Sequence, residues 1–261
     1  MNGNPITIGY RTDKGQLRAT NQDALFALSS SAITSDPKPY FGLFIVADGA
    51  GGHEDGEKAS GLATQIIGQR ILTDIYTPLV KNNYTFDSEA EPLTDGLLGA
   101  FQEANEQVMS NFPSAKTTVT AVAMLGYMAY IAHAGDSRAY LISSGNIEQI
   151  TRDHSLVQRL MDLGQLTSEE AAAHPEKNVL YRAIGLNEAL EVELTTRRLL
   201  PDSYVLICSD GLWNLVNDNE ILSIVLNNGA NTPHTAQTLV DLANERGGTD
   251  NISVIVVRIP E

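Results

Sequence analysis

Short apolar runs that are hydrophobic on successive residues dominate this chain of 261 residues, at positions 41–47, 118–125, 127–134, 139–142, 204–208 and 252–259. They are rich in β-branched and aromatic side chains, which suits strands. A strand with one wet face alternates polar and apolar residues. These do not alternate, so they belong in sheets covered on both faces. Gly126 and the stretch Ser143-Ser144-Gly145-Asn146 read as tight turns, and the middle of the chain is expected as an antiparallel meander. One-faced helical stripes precede and follow it: Ala59, Leu62, Ala63 and Ile66; Leu97, Phe101, Ala104 and Val108; Ala236, Leu239, Val240 and Ala243. The fold class expected is α+β, a central antiparallel β-sandwich flanked by α-helices on both sides.

Residues 81–92 are polar and read as a surface loop. Residues 152–183 hold two short helical segments, 156–163 and 168–173, interrupted by His174-Pro175. Such a segment is expected as a flap beside a site. No interdomain linker or repeat stands out, so positions 1–261 are expected as a single domain.

Lys and Arg total 17 against 32 Asp and Glu, a formal charge of -15. That balance argues against a nucleic acid or anionic membrane partner. The lone cysteine, Cys208, sits in an apolar run and excludes a disulfide framework. No apolar stretch reaches the ~18 residues a bilayer span needs, and the first residues lack a secretory pattern. The expected setting is reducing and cytoplasmic, and the expected state is a monomer.

The acids fall at strand ends. Residues 41–47 run into Asp48-Gly49, residues 204–208 run into Ser209-Asp210-Gly211, and the last strand starts just after Asp250-Asn251. If that last strand is antiparallel to the other two, all three acids reach one edge of the core. Asp136 falls between two further apolar runs. Taken singly, Asp-Gly is an ordinary turn pair and Asp an ordinary helix cap. As a set, crowded carboxylates repel unless they are protonated or bridged by cations. Oxygen ligands without a Cys/His cluster point to Mg2+ or Mn2+ rather than zinc. Gly49, lacking a side chain, would let its carbonyl approach an ion.

These residues carry a resemblance. The segments Thr12-Asp13-Lys14-Gly15-Gln16-Leu17-Arg18-Ala19-Thr20-Asn21-Gln22-Asp23, Ala47-Asp48-Gly49-Ala50-Gly51-Gly52-His53, Gly135-Asp136-Ser137-Arg138, Ser209-Asp210-Gly211 and Gly248-Thr249-Asp250-Asn251 resemble, in order, the motifs of the PPM family. These are the type 2C metal-dependent Ser/Thr protein phosphatases, and the compact length and flap resemble the bacterial branch. The resemblance implies a phosphatase acting on phosphoserine and phosphothreonine in proteins, substrates of a Ser/Thr kinase, through a metal-activated bridging water. It implies two Mn2+ or Mg2+ ions, with a place for a third.

By motif position, Asp48 bridges two ions, the Gly49 carbonyl contributes an oxygen, Asp210 and Asp250 complete one shell, and Asp23 acts from the outer shell. Arg18 binds the substrate phosphate; read without the motif it would be a surface salt bridge. His53 is the general acid for the leaving alkoxide; read without the motif it is an exposed loop histidine. Asp136 takes the third metal, and Asn178 of the flap is the candidate to join it, against the plainer reading of a polar loop residue. Gln22 departs from the family's usual Glu and adds no negative charge, which bears on metal affinity. Ala50 stands where Met is frequent. Two other readings stay open on the residues alone: a non-catalytic module that binds phosphoproteins, and a hydrolase of small phosphate esters. The retained acids favour catalysis over the first.

Overall fold

A computed structural model describes residues 6–31, 39–50, 55–84 and 92–260 of the chain. His53, assigned above as an acid, lies outside the described residues, as does most of the expected loop 81–92.

Two antiparallel sheets form the centre. One has the order β1-β11-β10-β7-β8, made of β1 (Thr7–Asp13), β11 (Ile252–Arg258), β10 (Tyr204–Cys208), β7 (Arg138–Ser143) and β8 (Asn146–Gln149). The other has the order β2-β3-β5-β6-β9, made of β2 (Asp23–Ser30), β3 (Phe41–Ala50), β5 (Val119–Leu125), β6 (Met128–Ala134) and β9 (Glu193–Arg198); the short β4 (Lys116–Thr117) pairs with the end of β3.

The unbroken apolar runs follow from three packed layers. Successive side chains of a strand point to opposite faces. In β3, Phe44 and Val46 meet Val205, Ile207, Ile255 and Val257 of the facing sheet. The intervening Leu43, Ile45 and Ala47 meet Ala59, Ala63 and Ile67 of α1 (Asp55–Arg70) and Leu97, Phe101 and Ala104 of α3 (Pro92–Asn111). In the other sheet Leu206, Cys208, Val254 and Val256 pack outward on Ile221 and Val225 of α7 (Asp218–Asn228) and on Leu239, Val240 and Ala243 of α8 (Thr232–Glu245). Both faces of the central strands are therefore dry, and the sandwich with helices on both sides is as expected.

Helix α1 does not stop at Arg70. It continues through a π-helical turn, Ile71–Tyr76, into α2 (Thr77–Lys81), which has Pro78 in its first turn. Proline lacks an N–H and crowds the carbonyl four residues back, so the widened turn just before it has a local cause.

The meander expectation needs correction. β5–β6 and β7–β8 are hairpins, the second closed at Ser144 (φ 51) and Gly145 (φ 78), the turn conformation that matches strand twist. Between β6 and β7, however, the chain leaves one sheet for the other. Gly135 (φ +125) makes this crossing, and a Cβ there would come within 2.4 Å of Thr118. Asp136 is thereby delivered between the sheets.

Residues 152–183 carry α4 (Leu156–Asp162) and α5 (Ser168–Ala172), capped by Ser155 and Thr167. The segment closes on itself: Leu156 N donates to the Val179 carbonyl (2.8 Å) and Tyr181 N to that of His154 (3.0 Å).

Candidate metal centre

The site forms where β2, β3, β4, β10 and β11 end. β11 runs antiparallel to β10, so its first residues share an edge with the last residues of β10. Asp23 and Asp48 face each other across β2 and β3. Asp210 opens α6 (Asp210–Trp213) directly after β10. Asp48, Gly49, Asp136, Asp210 and Asp250, together with Arg18 and Asn178, line one cavity of about 220 Å³. The positions 48, 210 and 250 that the sequence spaces far apart are thus brought together. Asp23 stands just behind, at the head of β2.

Buried hydrogen bonds fix this wall. Asp48 N donates to Thr118 Oγ1 (3.1 Å), while its carbonyl accepts from Thr118 N (2.8 Å) and Thr117 Oγ1 (2.9 Å). Ser209 Oγ donates to Asp23 Oδ2 (2.7 Å) and accepts from Ser253 N (2.9 Å). Asn251 ties the N-terminal loop to the last strand: its Nδ2 donates to the carbonyls of Lys14 and Thr20 (both 2.9 Å), and its Oδ1 accepts from Gln22 N (2.8 Å). Trp213 Nε1 donates to the Asp136 carbonyl (3.0 Å). Arg138 stacks over Trp213, 3.7 Å from the ring, and forms an ion pair with Asp153 (2.7 Å). These supporting residues are not legible from acid spacing. Ser209 and Asn251 adjoin the acids in sequence, but their partners lie 186 and 229 residues away.

Gly49 has a further reason to be glycine. A Cβ there would lie 2.1 Å from the Gly56 carbonyl and 2.8 Å from that of Gln22. The first turn of α1 and the Gln22 strand entry close on β3 only because that atom is missing.

The electrostatics are those of crowded acids. Burial, and then its acidic neighbours, push Asp48 well above the usual carboxylate range. The same causes in the same order raise Asp136. Burial lifts Asp23 to about 7 against hydrogen bonds from Ser253 and Ser209. Burial and then Asp250 lift Asp210 to about 6, with Asp48 within hydrogen-bond reach and Lys177 opposing from the flap. Arg18 Nη2 donates to Asp250 Oδ2 at 2.6 Å.

Among the described residues no three Asp, Glu, His or Cys side chains stand as a ready-made ion shell. The carboxylates are spread over the cavity wall, with Asp250 drawn to Arg18. The wall nonetheless fits hard divalent cations. Asp23 Oδ1 and Asp210 Oδ1 are buried and have no hydrogen-bond partner among the described residues. A buried carboxylate oxygen without a donor is costly, and a cation removes both that cost and the mutual repulsion. The donors are all oxygens, the set Mg2+ and Mn2+ take.

A sandwich with an acid-lined cavity at the strand ends defines a class of metal-dependent hydrolase, and comparison narrows it. The profile of the family described as Protein phosphatase 2C matches residues 15–246. The serine/threonine phosphatase Stp of Listeria welshimeri is 34% identical over 254 residues, covering 95% of this chain and 94% of that protein. The serine/threonine phosphatase of S. agalactiae superposes with a TM-score of 0.79 at 33% identity, over 97% of this chain and 99% of that one. The catalytic domain of the serine/threonine protein phosphatase PstP, solved in complex with 2 manganese ions, gives 0.75 at 29% identity, over 97% and 98%. The chain belongs to the protein phosphatase 2C family, the metal-dependent Ser/Thr protein phosphatases whose motifs it carries, and its similar relatives are bacterial.

Proposed function

We propose that this cavity hydrolyses phosphoserine and phosphothreonine monoesters of other proteins, with Asp48, the Gly49 carbonyl, Asp210 and Asp250 holding a pair of Mn2+ or Mg2+ ions. The observation that carries the reading is the gathering of Asp48, Asp136, Asp210 and Asp250 on one cavity with Arg18, beside two partnerless carboxylate oxygens. Asp23, fixed by Ser209, would steady the pair from behind. Asp136 and Asn178 would hold a third ion. Such ions, when bound, acidify water and offset charge on phosphoryl oxygens.

The protein's own groups position the ester. Asp250 holds one nitrogen of Arg18 and so orients the guanidinium plane. The remaining N–H groups of Arg18 can take two phosphoryl oxygens as a fork, which a lysine ammonium does not match. His53 is assigned the proton that the leaving serine oxygen takes up, on the motif alone. Asn178 and Leu180 of the flap line the same cavity, which supports the reading of 152–183 as an access flap on a single catalytic domain. The natural substrates are then proteins phosphorylated by a Ser/Thr kinase. A cytoplasmic monomer fits this use. No helix among the described residues is long and apolar enough to cross a membrane.

The test is phosphate release from a phosphoserine peptide by the whole chain with Mn2+. Turnover that stops on chelation supports the reading. Tight peptide binding with no turnover at any Mn2+ concentration would make the chain a binding module, and turnover of small esters but of no peptide would make it a metabolite hydrolase.

A further inference from the structure

Two cations line the catalytic cavity, and only one of them is committed. Arg18 is paired with Asp250. Lys116 lines the same wall, half-buried, yet it makes no ion pair or hydrogen bond through its side chain with any described residue. Its placement is not accidental to a floppy loop. Lys116 opens β4 and sits in fixed register opposite Ala50 at the end of β3. The next residue, Thr117, is fully buried and bonds the Asp48 carbonyl, so the alternation of the strand turns Lys116 away from the core. Ala50 is exposed and has only a methyl group.

A half-buried lysine that pairs with no described residue has given up part of its hydration without a partner among them. An anion arriving with the substrate would restore that loss. The transferred phosphoryl group is better matched by the planar fork of Arg18. A point charge at the rim suits a single anionic group beside it. We infer that Lys116 selects among phosphoprotein substrates by pairing with an anionic group, a carboxylate or a second phosphate, on a residue next to the phosphorylated one. This rests on the phosphatase reading of the cavity.

The experiment compares kcat/KM of the whole chain with Mn2+ on three phosphoserine peptides, with aspartate, alanine or a second phosphoserine beside the target. The unmodified protein is expected to favour the anionic peptides over the alanine peptide by about fivefold, the size of one solvent-accessible ion pair. Lys116→Ala should remove that preference, Lys116→Glu should reverse it, and Lys116→Arg should keep it. The aspartate and phosphoserine peptides tell the two anion sources apart. An unchanged preference in Lys116→Ala overturns the inference. So does an equal loss on all three peptides and on p-nitrophenyl phosphate, which would put Lys116 on the transferred phosphoryl group. A chain that is inactive on every peptide sinks the phosphatase reading itself, a separate outcome from an active chain without preference.

Discussion

Ser209 and Asp23, 186 residues apart, are joined by a 2.7 Å hydrogen bond behind the acid-lined cavity, and the Ser209 hydroxyl also receives Ser253 N. One hydroxyl therefore serves both the sheet and the acid. In Ser209→Ala the Ser253 amide and Asp23 Oδ2 lose a buried partner, so stability should fall by about 1–3 kcal/mol. Mn2+ affinity should fall roughly 10–100-fold, as when other outer-shell partners are removed. Thermal melts with and without Mn2+ read both effects. A melt unchanged in either condition would exclude the role.

Asp48→Asn should lower Mn2+-dependent turnover at least about 10³-fold, the loss of several kcal/mol expected when metal and nucleophile are no longer held. The backbone of Asp48 is held by Thr117 and Thr118, independently of its carboxylate. The fold should therefore survive, and relieving one repulsive acid should not lower the melting temperature. Retained activity would remove Asp48 from the bridging position.

Gln22 packs against the first turn of α1, where a Cβ on Gly56 would touch its amide at 2.8 Å. A carboxylate in that place adds negative charge near both the cavity and a helix N-terminus, where it is favoured. Gln22→Glu should lower the Mn2+ concentration for half-maximal activity several-fold, about 1 kcal/mol. An activation curve that stays put or moves to higher Mn2+ would show that the amide is not limiting metal affinity.

His53→Ala should slow phosphoserine peptides about 10²-fold or more, the range of general acid catalysis, and p-nitrophenyl phosphate far less. The phenolate departs without a proton, whereas the serine alkoxide needs one. Equal losses on both substrates would remove the acid role.

His133 offers a pH test of stability. It is fully buried, stacked on His154 at 4.7 Å, and its Nε2 donates to the Arg152 carbonyl (3.1 Å). Burial first and then His154 push its pKa down from 6.5 to about 3. Below pH 6.5 the unfolded chain binds a proton that the folded chain refuses, so stability falls as pH drops, by up to about 1.4 kcal/mol per unit, until the folded pKa is reached. The carboxyls of Asp23, Asp48, Asp136 and Asp210, raised on folding, act in the opposite sense. The measurement is therefore the difference between the unmodified protein and His133→Gln, followed by denaturant unfolding between pH 4 and 7 in chelator. Parallel curves would show that the buried imidazole takes up its proton in the fold as readily as in the unfolded chain.

Much of the architecture is legible in local pattern. The apolar runs at 41–47, 204–208 and 252–259 become β3, β10 and β11, because sheets dry on both faces require that pattern. β1, β2 and β9 are less visible, since they lie at or near sheet edges and carry polar residues such as Arg11, Asp23 and Glu193. The meander fails at Gly135, where the sequence shows a turn but not which sheet receives the next strand. Acid placement at strand ends points to Asp48, Asp210 and Asp250 as a set. The pairing of Arg18 with Asp250 and of Ser209 with Asp23 leaves no trace in spacing.

The sequence by itself determined the strand content, the covered sandwich, and which oxygen donors stand at strand ends, because side-chain period and strand-end position are properties of contiguous residues. Only the tertiary structure decided that Asp48, Asp136, Asp210 and Asp250 share one wall with Asp23 behind it, and that Lys116 lines the same cavity without an ion pair to any described residue. Those relationships depend on antiparallel register and on one crossing between sheets. They are set by the packing of residues as much as 241 positions apart, as in the Thr12–Ser253 hydrogen bond.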